Sequence, residues 1–312
     1  MSTQSIVFPG QGSQEPGMGR DLAEHWSEAM DLWKKAERLS GLPLREIYWD
    51  GDENAMAATR NLQPALTVVN INLWCFLASR LDPAGVAGHS LGEYSALFAA
   101  QVLTIDQVLE LVCLRGKLME EATNQDGRMA AILKLEQAQV EGLVAAAATL
   151  TSEEIRIANY NTPGQFVISG HAQAVDHVCA EVKPLKGRAM VLPVSNAFHS
   201  PYMREAGTEL SVYIDKMDWR DPKIPVYLNV TARPEPSGQA VKETMKRQMT
   251  SSVQWLQTIE NQYADGMRSF VELGPKGALS RMIAQILKDR DGVKTLSVST
   301  LEQTATLEET RS

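Results

Sequence analysis

Residues 86–99 read VAGHSLGEYSALFA: a short apolar run, a serine between two glycines, and then apolar residues at helical spacing. This order predicts a strand, a tight turn and a helix, the setting of a nucleophile elbow, in which small residues on both sides lift the serine hydroxyl out of the chain. Ser90 is the candidate nucleophile. The Leu91 amide, at the start of the predicted helix, is a candidate oxyanion donor helped by the helix dipole. From the pentapeptide alone, a chance turn rich in glycine is the alternative.

On both sides of this stretch, predicted strands and helices alternate, which is typical of an α/β fold. The middle of the chain, between about residues 127 and 196, instead shows the order β-α-β-β-α-β of a split βαβ, or ferredoxin-like, unit. We therefore predict a small ferredoxin-like domain at 127–196, inserted in a larger α/β domain made of residues 1–126 and 197–312.

Bulk composition narrows the function classes. The chain has 312 residues, of which 44% are hydrophobic, and a net charge of −8, which argues against a nucleic-acid-binding protein with a basic face. Three widely spaced cysteines form neither a disulfide framework nor a zinc pattern, and fit a reducing cytoplasm. The first residues do not resemble a signal peptide. The longest apolar stretch, 68–77, is shorter than the roughly 20 residues that span a bilayer. We expect a cytoplasmic protein with no membrane segment.

A serine nucleophile needs a base, and the chain has five histidines. His199 lies between a predicted strand end and a predicted helix, which makes it the candidate base, with a structural cap as the alternative. His25 is expected on the solvated face of a helix. The side chain of His89, inside the elbow, is expected to point away from that of the nucleophile. His171 and His177, six residues apart in a predicted helical stretch, do not share a face as metal ligands would.

Arg115 lies within a predicted helix, opened by a T-x-x-Q capping box at residue 104, that otherwise shows an apolar face. A guanidinium among aliphatic side chains is costly unless it meets an acid. Either Arg115 binds a substrate carboxylate through two parallel bonds, or it forms an internal salt bridge. The loop at 10–14 lacks the third glycine of a dinucleotide motif, and there is no Walker A sequence. No clustered His and Cys pattern occurs, so no metal is predicted.

Seven motifs, taken together and in this order, resemble the malonyl-CoA:acyl carrier protein transacylase family. They are FPGQGSQ at 8–14, GHSLGEY at 88–94, RG at 115–116, NYNTPGQ at 159–165, AFHS at 197–200, VQW at 253–255 and ELGP at 272–275. The resemblance covers about residues 5 to 285.

The resemblance implies an α/β-hydrolase-like large domain with an inserted ferredoxin-like small domain. It implies that Ser90 is the nucleophile and His199 its base. It further implies that the backbone amides of Gln11 and Leu91 form the oxyanion hole, and that Arg115 binds the malonyl carboxylate.

Other roles also rest on the resemblance. Gln248 aligns with a glutamine whose backbone carbonyl orients the histidine, and Gln63 and Asn161 align with residues that line the pocket. Phe198, in the malonyl-type A-F-H signature, would fill the space that the α-methyl group of methylmalonyl needs. The sequence after Gly-Pro at 274–277 departs from the usual order, so it is given no catalytic role.

The implied substrates are malonyl-CoA and an acidic, phosphopantetheinylated acyl carrier protein, with no bound cofactor. Fatty acid synthesis is the default pathway, and a polyketide pathway is the alternative. We expect a local basic patch for the carrier protein. Its candidates are Lys183, Lys186, Arg188 and Lys276, with ordinary solvated charges as the alternative.

Three rival functions differ in testable ways. A hydrolase on this scaffold would carry an acid between serine and histidine in sequence, and none of Asp106, Asp126 and Asp176 lies in a recognisable acid loop. A non-catalytic carrier-protein docking module would not need a serine, a histidine and an arginine together. An acyltransferase for methylmalonyl would usually carry a serine before the histidine, where this chain has Phe198.

Overall fold

The computed structural model describes residues 3–122, 126–194 and 196–306. Its strands are β1 (Gln4–Phe8), β2 (Pro83–Gly88), β3 (Gly127–Leu133), β4 (Ile155–Thr162), β5 (Gln165–His171), β6 (Arg188–Val191), β7 (Val226–Tyr227), β8 (Ser269–Leu273) and β9 (Lys294–Val298). Its α-helices are α1 (Arg20–His25), α2 (Ser27–Ser40), α3 (Glu53–Ala57), α4 (Thr59–Leu77), α5 (Gly92–Ala99), α6 (Ile105–Glu121), α7 (Gln137–Thr151), α8 (Ala172–Val182), α9 (Arg204–Ile214), α10 (Gly238–Lys246), α11 (Trp255–Ala264) and α12 (Ala278–Ile286).

The larger sheet is parallel, in the order β7-β2-β1-β8-β9. Its central strand β1 ends in an unbroken apolar run, Ile6–Phe8, because helices cover both faces of the sheet. Ile6 and Phe8 belong to one core cluster, whereas Val7, on the other face, belongs to a second cluster with residues of α11 and α12. The α/β class predicted from the sequence is confirmed. The strands end together at the carboxyl edge, where open α/β sheets bind their ligands.

The smaller sheet is antiparallel, in the order β4-β5-β3-β6. Numbered within this unit, the order is 2-3-1-4, the ferredoxin-like arrangement expected from β-α-β-β-α-β. Helices α7 and α8 pack on one face around a separate apolar core. Met129, Ala131 and Val167, on the opposite face, line a cleft between the two sheets. The exact domain boundaries, 127 and 196, stay a prediction.

Some local predictions are wrong. Apolar residues at helical spacing over 21–39 predict one helix, but the structure has two, because Trp26 adopts an extended conformation between them. The helix expected from His199 begins at Arg204 after a short 3-10 turn, because His199 has a left-handed φ of 55°. His171 is not helical: it ends β5, and its Nδ1 accepts a hydrogen bond from the Gln173 amide at the start of α8.

Helix α4, with the short 3-10 turn that extends it to Arg80, is long and apolar enough by length and composition to cross a membrane. However, 72% of its most apolar window is buried inside the fold. It packs against α2, α5 and α6. This burial is that of a core helix.

Candidate active site

The G-x-S-x-G turn connects β2 to α5 and is as tight as the sequence predicts. Ser90 has a φ of 50°, a left-handed conformation that a non-glycine residue rarely adopts. A Cβ atom on Gly88 would lie 2.0 Å from the carbonyl carbon of Gly92, and one on Gly92 would lie 2.0 Å from the Phe8 oxygen. Glycine is therefore required at both positions, and the serine between them is held in a strained conformation at the carboxyl edge of the sheet.

His199 faces the serine across the floor of the cleft. The Ser90 Oγ and the His199 Nε2 are 2.8 Å apart, and the His199 Nδ1 lies 3.1 Å from each of the carbonyl oxygens of Gln248 and Ser251. Because carbonyl oxygens only accept hydrogen bonds, the network assigns the proton to Nδ1 and leaves the lone pair of Nε2 to the serine hydroxyl. The imidazole is thus oriented by backbone carbonyls.

The environment of His199 keeps the ring neutral. Burial lowers its pKa to about 3, and the nearby charge of Arg115 acts in the same direction. A neutral imidazole near pH 7 can accept the proton of the serine hydroxyl.

Arg115 lies directly below the nucleophile and is 1% exposed. Its Nη2 donates to the Ser90 Oγ at 3.2 Å, and its Nη1 donates to the Gln63 Oε1 at 2.8 Å. The Gln248 Oε1 accepts two further hydrogen bonds, from the Arg115 Nε at 3.3 Å and from its Nη2 at 3.1 Å. Among the described residues, no carboxylate lies within 4.0 Å of this guanidinium, so the internal salt bridge considered from sequence is not formed there. Burial lowers the Arg115 pKa. Ser90 therefore has an adjacent cation that no carboxylate of the described residues pairs with directly.

Two residues to which the sequence analysis gave no role hold the elbow. The Asn229 side chain accepts from the Ser90 amide and donates to the Gly88 carbonyl, both at 2.6 Å. The buried Glu93 carboxyl accepts hydrogen bonds from the backbone N–H of Asn229 and from the Gln248 Nε2, both at 2.7 Å. Burial raises the Glu93 pKa to about 7. The sequence predicts a strand over residues 226–229, and the polar Asn229 at its carboxyl end was the signal that could have identified this residue.

The Gln248 side chain also has a role that the sequence did not show. Its Nε2 donates to the Ser90 carbonyl at 2.9 Å as well as to Glu93, while its Oε1 accepts from Arg115. One residue thus contacts the nucleophile's backbone, the buried cation and, through its own carbonyl, the histidine.

The two amides expected in the oxyanion hole are available as donors. In the described part of the chain, neither the Gln11 nor the Leu91 backbone N–H donates to an acceptor, whereas the next two amides, of Gly92 and Glu93, are used within the turn. Gln11 lines the cleft, and its side chain lies 3.4 Å from the Thr59 hydroxyl. Leu91 is the N-cap residue directly before α5, so its amide points out of the helix N-terminus.

The cleft above these groups has a volume of about 380 Å³. Phe198 and Asn161 line it, whereas Gln63, which was predicted to line the pocket, is fully buried and accepts a hydrogen bond from Arg115 instead. His89 also lines it. Its ring packs edge-on against that of Trp255, with the ring centroids 5.5 Å apart, and its Nε2 lies 2.8 Å from the Asn161 Oδ1 and so connects the elbow to β4. The expected direction of this side chain, away from that of Ser90, stays a prediction. Among the described residues, no group of three His, Cys, Asp or Glu side chains could hold a metal ion.

The four candidate docking cations lie on two sides of the cleft, and all are exposed. Lys183 and Lys186 follow α8, and Arg188 opens β6 opposite Leu133, two residues along β3 from the cleft-lining Ala131. Lys276 lies on the other side, where its Nζ is 3.5 Å from the Gly12 carbonyl.

Comparison with known proteins identifies the family of the chain. The family model described as acyl transferase domain matches residues 6–310. A malonyl CoA-acyl carrier protein transacylase of Staphylococcus aureus is 37% identical over 306 residues, covering 97% of each chain. An acyl carrier protein S-malonyltransferase from Vibrio cholerae superposes with a TM-score of 0.92 at 34% identity, over 98% of this chain and 100% of that one. A malonyl-transacylase solved with a type II polyketide acyl-carrier protein superposes with a TM-score of 0.93 at 32% identity, over 99% and 100% of the two chains.

Proposed function

The chain belongs to the acyl transferase domain family and is an acyltransferase, and we propose that it moves a malonyl group from malonyl-CoA to the phosphopantetheine thiol of an acyl carrier protein. The reaction is ping-pong, with a malonyl ester on Ser90 as the intermediate. The names and folds of the relatives support the donor, the acceptor and the group transferred.

In the first half-reaction, the His199 Nε2 takes the hydroxyl proton of Ser90 while Oγ attacks the thioester carbonyl carbon. The backbone amides of Gln11 and Leu91 stabilise the tetrahedral oxyanion. The carbon–sulfur bond then breaks, and the imidazolium gives its proton to the departing CoA sulfur.

In the second half-reaction, the carrier-protein thiol gives its proton to His199 and attacks the malonyl ester, and Oγ leaves and recovers the proton. One thioester replaces another, so the exchange is close to thermoneutral. Neither half-reaction calls for a metal, a resident cofactor or nucleotide energy.

The observation that carries this proposal is the position of Arg115. A buried guanidinium 3.2 Å from the nucleophilic oxygen, with no carboxylate within 4.0 Å in the described ranges, suits a substrate that brings its own carboxylate. Phe198 and the Asn161 amide complete the proposed malonyl pocket, and Gln63 contributes indirectly by holding the Arg115 guanidinium.

A hydrolase on the same scaffold is less well supported. Its histidine would usually be oriented by an acid, whereas the His199 Nδ1 here lies against two backbone carbonyls.

Mass spectrometry of the intact protein tests the proposal. Brief incubation with malonyl-CoA should add one malonyl group, located at Ser90, with release of CoA in a burst and no sustained release of malonate. Ser90→Ala, at a folded and otherwise unchanged site, should remain unlabelled. A label on another residue, or continuous malonate production, would contradict the assignment.

We place the reaction in fatty acid synthesis in the cytoplasm, as the supply of malonyl units for chain extension. The relative solved with a polyketide carrier protein makes polyketide synthesis the specific alternative. Transfer rates to a fatty acid carrier and to a polyketide carrier, measured side by side, distinguish the two.

For either partner, the proposed basic contacts are Lys183, Lys186, Arg188 and Lys276. Charge reversal at all four should raise the carrier-protein KM at low salt, and an unchanged KM would place the docking surface elsewhere.

A further inference from the structure

The short segment that orients His199 also joins the two sheets of the protein. This support segment comprises residues 248–253. Its carbonyls at Gln248 and Ser251 each lie 3.1 Å from the His199 Nδ1. Its last residue, Val253, pairs with the small sheet: the Val253 amide donates to the Ala158 carbonyl at 2.8 Å, and the Tyr160 amide donates to the Val253 carbonyl at 3.0 Å.

A side chain from the small sheet adds to this junction. Arg156 on β4 donates from Nη1 to the Thr250 carbonyl at 2.7 Å and from Nη2 to the Ser252 hydroxyl at 3.2 Å. The Ser252 hydroxyl in turn donates to the Ile157 carbonyl at 2.6 Å. The rigid planar fork of a guanidinium fixes the relative positions of its two acceptors, which a flexible ammonium cannot do.

The two acceptors of Arg156 alternate along the chain with the two carbonyls that face His199. Thr250 directly precedes Ser251, and Ser252 directly follows it. The Ser251 carbonyl cannot move far while both neighbours are held, so the hydrogen bond to His199 is fixed from the small domain.

We propose that Arg156 is a positioning residue for His199: from the small domain, it fixes the support segment so that the imidazole keeps Nδ1 protonated and Nε2 directed at Ser90. This inference rests on the proposed role of His199 as the base. If Arg156 has this role, any shift of the small domain relative to the support segment changes the rate of acyl transfer.

A matched arginine on the same sheet provides the control. Arg128 on β3 forms its ion pair with Asp176 on α8, within the small domain. Arg128→Met therefore removes a small-domain guanidinium and an ion pair without touching the support segment.

The test compares the rate of malonyl-enzyme formation at saturating malonyl-CoA in the wild type, Arg156→Met, Arg156→Lys and Arg128→Met. Displacements of about 1 Å at a reacting group can cost up to about a hundredfold in rate. We expect Arg156→Met to slow the step between about tenfold and a hundredfold, with KM for malonyl-CoA changed by less than about twofold. Arg156→Lys should recover part of the rate, and Arg128→Met should stay within about twofold of the wild type.

Two further measurements separate positioning from loss of structure. Ser252→Ala removes an acceptor of Arg156, so both substitutions break the same contact. The loss of rate in the double variant should therefore be smaller than the product of the two single losses. Nitrogen-15 spectra of the histidine rings, of which the chain has five, should show His199 as the Nδ1–H tautomer in the wild type and as a tautomer mixture in Arg156→Met.

Equal rates for Arg156→Met and Arg128→Met, with an unchanged His199 tautomer, would overturn the proposal. If Arg156→Met does not fold, Arg156→Lys and Ser252→Ala decide: wild-type rates in both would overturn it. A wild-type protein that takes no malonyl label would instead contradict the proposed function, so the two failures are distinguishable.

Discussion

The floor and the wall of the cleft differ in the kinds of side chain that they bury. The floor, on the parallel sheet, gathers Ser90 in a strained conformation with the buried ionisable groups of Glu93, Arg115 and His199. The wall, on the antiparallel sheet, carries no ionisable side chain in its described lining: it combines apolar side chains such as Val167 with the uncharged amides of Asn159, Asn161 and Gln165. Burying the ionisable groups of the floor costs free energy, which a dense hydrogen-bond network offsets. Burying the uncharged side chains of the wall costs much less free energy. The comparison predicts that substitutions in the floor change the chemistry and that those at the apolar positions of the wall change mainly stability.

Removal of the base should have the largest effect among these tests of the comparison. His199→Ala eliminates the group that accepts the serine proton, and general-base effects are typically about a hundredfold to ten-thousandfold. Single-turnover malonylation of Ser90 at pH 7 measures the loss. A variant with a near wild-type rate would refute the role of His199.

A smaller effect is expected when the elbow loses its support. Asn229→Ala leaves the Ser90 amide and the Gly88 carbonyl unpaired in a buried setting, at about 1–3 kcal/mol for each group. We expect the free energy of unfolding to fall by about 2–4 kcal/mol and malonylation to slow by about tenfold. Urea unfolding and single-turnover rates measure the two effects. A stable variant with normal rates would show that the glycines alone hold the turn.

The acid side of the pH profile tests the electrostatics of the floor. A histidine with its ordinary pKa of 6.5 loses half of its neutral form at that pH, but burial and Arg115 lower the His199 pKa to about 3. Since the neutral form is the base, malonylation should keep its plateau as the pH falls to about 5. Burial raises the Glu93 pKa to about 7, so a half-maximal rate near pH 6.5 would mean that the His199 ring is solvated in the free enzyme if the same midpoint persists in Glu93→Gln.

The smallest catalytic effect is expected in the wall. Val167→Ala removes two methyl groups from a side chain that is 7% exposed, which should lower the free energy of unfolding by about 1–2.5 kcal/mol. The malonylation rate should stay within about twofold of the wild type, as measured in the same assay. A tenfold loss of rate without unfolding would give the wall a part in the chemistry.

The local sequence pattern was enough to predict much of the fold. Alternating strands and helices predicted both sheets, and the capping box at Thr104 begins α6 as expected. The support of the site could not be predicted in the same way. Ser90 is 139 residues from Asn229 in sequence and 158 from Gln248, and hydrogen bonds over such separations leave no periodic signal. The left-handed φ of His199 is likewise fixed by tertiary contacts.

Arg115 carries the central claim, which is that a buried cation beside the nucleophile selects a malonyl group. With an uncharged acetyl group bound, its guanidinium stays buried without an anion, at a cost of roughly 3–5 kcal/mol. At about 1.4 kcal/mol per factor of ten, that is a preference for malonyl of about two to four decades.

The most direct measurement is the ratio of kcat/KM for malonyl-CoA to that for acetyl-CoA, in the wild type, Arg115→Ala and Arg115→Lys. We predict that alanine collapses the ratio by slowing malonyl transfer while acetyl transfer is equal or faster, and that lysine restores it only in part. An unchanged ratio in Arg115→Ala would contradict the account, because the malonyl carboxylate would then be recognised by another residue.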